Sequence, residues 1–145
     1  MTNQVIARDL LAAICILQGL ATVGIDLNRI HAANPLWPGH ARFHLVWQAV
    51  TFAWLALLEV VLVFAAGPYR EQCFYLAAIL AGIPMLGFLA ALIARGTYEG
   101  TLSDSNGMKP LIIKFRGSNL RVDLNLVAET IGLLALAAIV AIYKH

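Results

Sequence analysis

Leu55-Ala56-Leu57-Leu58-Glu59-Val60-Val61-Leu62-Val63-Phe64-Ala65-Ala66-Gly67-Pro68-Tyr69-Arg70-Glu71-Gln72-Cys73-Phe74-Tyr75-Leu76-Ala77-Ala78-Ile79-Leu80 holds two apolar runs joined by a short polar turn. The runs extend outward to about residues 43–66 and 73–94. Each is long enough to cross a bilayer, which takes about 20 apolar residues. The turn Gly67–Gln72 is too short for anything but an antiparallel helical hairpin. Two more runs of the same kind flank this pair, at about residues 5–25 and 124–143. The chain therefore reads as all-α: one domain over residues 1–145, an integral membrane four-helix bundle.

Composition agrees. The 145 residues are 61% hydrophobic and 12% charged, against roughly 45–50% and about 25% in soluble proteins. Net charge is +2, and no basic run suggests nucleic acid. Cys15 and Cys73 each stand alone beside apolar residues and read as small buried hydrophobes. The first run is too long for the core of a signal peptide and lacks a small-x-small cleavage site, so it is expected to remain as a helix.

Four crossings place both termini on one side and both long loops on the other. Arg29, Arg42, Arg95, Lys109, Lys114, Arg116 and Arg121 fall on the loop side, against Arg8, Arg70 and Lys144 opposite. The excess of positive charge favours cytoplasmic loops in a bacterial inner membrane. In the second loop, Ser105-Asn106-Gly107 and Arg116-Gly117-Ser118-Asn119 signal turns, and Leu111–Phe115 reads as a short strand or interfacial segment.

Helix association in lipid needs small residues for close approach. Ala12, Gly19 and Gly24, and the pairs Ala78/Gly82 and Gly87/Ala91, supply them; faces left over would suit a second copy of the chain. Pro84 interrupts the hydrogen-bond ladder of the third helix. Two acids lie within spans, where charges are costly and serve function by default. Glu59 is at the level of Arg8, and the two are expected to pair as a structural clamp. Glu129 shares a face with Arg121 and Asn125 at i, i+4 and i+8.

The first loop is the densest polar segment. His40 and His44, spaced i, i+4, fall one turn apart on one helix face, and Gln48 continues that face. Two imidazoles so placed can bind one divalent metal, with His31, Asp26 or Glu129 completing the shell. Without a metal, His44 can exchange a proton with Glu129 or Asp26. In a purely structural reading, the histidines bond loop carbonyls and Asp26. Asn34, Trp37, Arg42, Trp47, Gln48 and Asn125 are the candidate ligand contacts around this mouth, with Trp37 and Trp47 also suited to the membrane interface. No serine-hydrolase elbow, phosphate loop or dinucleotide fingerprint occurs.

The run Asn34-Pro35-Leu36-Trp37-Pro38-Gly39-His40-Ala41-Arg42-Phe43-His44 resembles the motif Asn-Pro-x-Trp-Pro-x-His-Ala-Arg/Lys-Phe-His of a family of small four-helix membrane proteins from bacteria and fungi. That resemblance implies fold and topology but no reaction. Size and layout are also similar to anthrone-oxygenase-like and DoxX-like membrane proteins, without the signature of either. Two functions are expected: an enzyme of oxygenase, isomerase or hydrolase type acting on a lipophilic small molecule, or a non-catalytic ligand binder, carrier component or subunit of a membrane complex.

Overall fold

The computed structural model describes residues 2–104 and 106–145. Four helices form the body: α1 (Asn3–Asp26), α2 (Gly39–Val63), α3 (Arg70–Ala94) and α4 (Leu124–Lys144). All four are long and apolar enough to cross a membrane. This is an all-α integral membrane bundle, with helix limits within about one turn of those expected. A 3-10 turn at Arg95–Thr97 ends α3, and a two-stranded hairpin, β1 (Leu111–Phe115) and β2 (Ser118–Val122), precedes α4.

The helices form a ring. α1 packs on α2 and α4, α3 packs on α2 and α4, and α1 touches α3 across the short diagonal. Small residues set the tightest seam. A Cβ on Gly19 would come within 2.7 Å of the Ala56 Cβ, so only glycine lets α1 approach α2 this closely. Between α3 and α4, a Cβ on Gly132 would come within 2.9 Å of the flexible Met85 Cε, whereas one on Gly82 would meet Leu136 at 3.4 Å, an ordinary van der Waals contact. Ala12, Gly19, Ala78 and Gly82 thus pack as expected. Gly24 and Gly87 face open space and Ala91 is exposed, so their faces are left over. Pro84 lies inside α3 without ending it; it lacks the N–H that would bond the Leu80 carbonyl.

Packing is uneven along the membrane normal. The largest fully buried side chains are Phe74, Leu11, Glu59, Val63 and Cys15. All lie at mid-bundle or nearer the chain termini. There Phe74 stacks on Tyr143 with ring centroids 3.7 Å apart and planes 9° apart, binding α3 to α4. The outward faces carry large apolar side chains such as Leu20, Trp54, Ile79 and Leu134, as a lipid-facing surface requires.

The loop end is built differently. The hairpin turn is Arg116-Gly117, both at positive φ (48° and 81°), the two-residue geometry that matches strand twist. Phe115 pairs with Ser118, so Ser118 and Asn119 belong to the strand rather than to the expected turn. Ser105, part of the other expected turn, lies outside the described residues.

The Gly19 seam yields a prediction. Gly19→Ile should lower the thermal midpoint in detergent by several degrees, for a loss of about 1–3 kcal/mol from overpacking. Gly24→Ile, which meets only open space, should leave it unchanged.

Candidate functional site

The polar residues of the loop side divide into an inner set and an outer set, and helix rotation decides which is which. At 100° per residue, Asn125, Glu129, Leu136 and Tyr143 fall within about 40° of one another on α4. Leu136 and Tyr143 are buried, and Asn125 and Glu129 are half-buried on the same inward face. Asp26 lies about 20° from buried Cys15 around α1, so it too is inward and half-buried. His31 lies close enough to Asp26 to interact with it electrostatically.

α2 is turned so that Ala49, Ala56, Glu59 and Val63 meet the bundle. His40 then falls about 180° from Ala49, Trp47 about 160° and His44 about 140°. All three are exposed, as is Gln48 on the flank. His40 and His44 meet each other, Nε2 to Nε2, at 3.0 Å, with ring planes at 83°. Phe43 and Trp47 lie beside His44.

This geometry corrects several expectations. His31 does not join His40 and His44. Its Nδ1 donates to the Ile25 carbonyl at 2.9 Å, and its ring packs edge-on against Trp37. No group of three or more His, Cys, Asp or Glu side chains converges among the described residues. His44 does not reach Glu129, because α2 and α4 stand on opposite corners of the ring. Asp26 makes no hydrogen bond with His44 among the described residues. Arg121 lies in β2, not on the face of Asn125 and Glu129; α4 begins at Leu124, capped by Asp123, whose Oδ1 accepts from Leu126 N at 2.9 Å.

Arg8 and Glu59 do not form the expected clamp. Arg8 Nε donates to the Val63 carbonyl at 2.7 Å and Nη2 to that of Ala65 at 3.3 Å. The cation therefore caps the C-terminus of α2, where orphan carbonyls and the helix dipole attract it. Glu59 is 1% exposed. Its Oε1 has no partner among the described residues, and the Cys15 thiol lies alongside the carboxyl.

Asn34, a candidate ligand contact, is a pin between loops. Its Nδ2 donates to the Ile30 carbonyl at 3.1 Å and to that of Asn106, 72 residues away, while Oδ1 accepts from Leu36 N at 3.0 Å. Trp37 lies against the Cα of Gly107 in the same junction. Arg42 is half-buried, and its Nε has no partner among the described residues. The sequence carries one cue to this pin, an asparagine followed by proline, but its partner is a backbone carbonyl with no side-chain signature.

Two concavities among the described residues bear on the site. A polar one of about 330 Å³ at the terminal end is walled by residues 2–4 and 143–145 and holds none of the candidate residues. The other, about 250 Å³, is an apolar groove on the lipid-facing seam of α1 and α2. Gly19 and Ala56 form its floor, and Leu20, Val23, Ala53 and Leu57 its walls. The small residues that draw the two helices together thus also create the groove. Asp26 follows one turn beyond Val23, toward the loops. Compared with known proteins, the chain matches no family model, no curated protein and no solved structure.

Two predictions follow from the reassigned residues. Arg8→Ala should cost about 1.5–3 kcal/mol, the worth of hydrogen bonds to a charged group, and Glu59→Gln, which keeps the side chain's size and breaks no bond to Arg8, should change stability little. A double-mutant cycle on unfolding in detergent should give an Arg8–Glu59 coupling within about 0.5 kcal/mol of zero; a true clamp would couple them strongly. Asn34→Asp, which cannot donate to the Ile30 and Asn106 carbonyls, should speed limited proteolysis between residues 100 and 110 at least several-fold, with the four helices intact by circular dichroism.

Proposed function

We propose that this chain binds a lipophilic small molecule from the bilayer, with its hydrocarbon portion in the α1–α2 groove and a hydroxyl or amine head group on Asp26. The observation that carries this reading is the groove itself. It is apolar and lipid-facing, and half-buried Asp26 lies one helical turn beyond Val23 at its loop end. At about 250 Å³ it falls below the roughly 300–1,000 Å³ of sites that enclose drug-sized ligands, so a chain suits it better than a fused ring system. Asp26 and, on the neighbouring inward face, Glu129 present carboxylate acceptors, with Asn125 able to accept or donate, and carboxylates select a head group that donates.

Binding is favoured over catalysis because the acid–base set proposed from sequence is not assembled. His44 stands outside the bundle while Asp26 and Glu129 stand inside. The leftover small-residue face around Gly87 and Ala91 suits a second copy or another subunit. The excess of Lys and Arg in the loops supports placing them on the cytoplasmic side of a bacterial inner membrane. Kinship with the small four-helix family that shares the Asn34–His44 motif belongs to the same proposal.

Photo-crosslinking tests the reading. A diazirine-bearing long-chain alcohol, incorporated with the protein in nanodiscs, should label residues 16–23 and 53–60 preferentially. Ala53→Phe, which fills the groove, should reduce that labelling at least five-fold. Equal labelling of the outward faces around Ile79 and Leu134, unchanged in the Ala53→Phe variant, would contradict it.

A further inference from the structure

The outer histidine pair has no part in that groove, and its geometry points elsewhere. Two nitrogens bound to one transition-metal ion at about 2.0–2.1 Å, with an angle between square and tetrahedral values, lie roughly 2.8–3.4 Å apart. The Nε2 atoms of His40 and His44 are 3.0 Å apart. The separation is built into the chain by one helical turn of α2, and both rings are exposed. No carboxylate, thiol or third imidazole joins them among the described residues.

We infer that His40 and His44 form a bidentate site for a divalent transition-metal ion, with water filling the remaining positions. Imidazole nitrogen suits Cu2+, Ni2+ and Zn2+, and Cu2+ binds such donors most strongly. Mg2+ and Ca2+, which take oxygen ligands, are excluded. The site lies on the first turns of α2, between Pro38 and Trp47, at the end of the span where α2 enters the bilayer. With both rings exposed on the first turns of the helix, water can complete a two-ligand shell without a further protein group. Exposure also means that neither ring is needed for packing, and the pair can change partners without disturbing the bundle. In the absence of metal, one Nε2 donates to the other.

The decisive experiment is Cu2+ titration of the full, tag-free chain in nanodiscs, read by electron paramagnetic resonance. One ion per chain with a two-nitrogen signature is expected. His40→Ala or His44→Ala should weaken binding at least ten-fold with helix content unchanged by circular dichroism, and His145→Ala should change nothing. Binding that persists in the His40→Ala/His44→Ala double variant would overturn the site. So would a four-nitrogen signal at one ion per two chains, which would replace water with a second copy.

Discussion

For about 30 Å of its path, every backbone N–H and C=O of this chain is cut off from water. Four continuous helices answer that constraint, and the polar exceptions are concentrated where a helix ends. Arg8 shows this most clearly. The last carbonyls of α2 have no partners within their own helix, and the guanidinium from α1 binds two carbonyls at that end, those of Val63 and Ala65. The interaction satisfies a half-buried cation and orphan acceptors together. It also fixes the depth of α1 against α2, so the contact of Gly19 with Ala56 and the groove beside it follow from the same register.

The two ends of the bundle then serve different purposes. Near the termini, the Phe74–Tyr143 stack and the buried Leu11, Cys15 and Val63 make a tight core. Toward the loops, the inward faces carry half-buried Asp26, Asn125 and Glu129, and the loops themselves are joined by Asn34. A membrane protein that only needed to hold together would fill both ends alike. The polar end, one turn beyond the lipid-facing groove, is where the proposed ligand's head group would sit.

The crossings were legible in the sequence because apolar length alone determines them. Residue depth was also legible, since it follows from counting along alternating helices. Rotation was not. Whether His44 faces the bundle or the lipid depends on which side of α2 meets Gly19, and that is decided by atomic contact with Ala56. The same limit explains Arg8 and Asn34. Both were read by the charge or polarity of their side chains, yet both bind backbone carbonyls, which every residue has and which no residue type announces. Glu59 lost its expected partner for that reason.

Cysteine accessibility, in a Cys73→Ser background that leaves only the buried Cys15, tests the central claim most directly. Cysteines placed at Tyr69 and Lys144 should react with a membrane-impermeant maleimide from one side of sealed vesicles. Those placed at Arg29 and Asn119 should react only from the other. Labelling of Tyr69→Cys and Asn119→Cys from the same side would contradict four crossings and the bundle built on them.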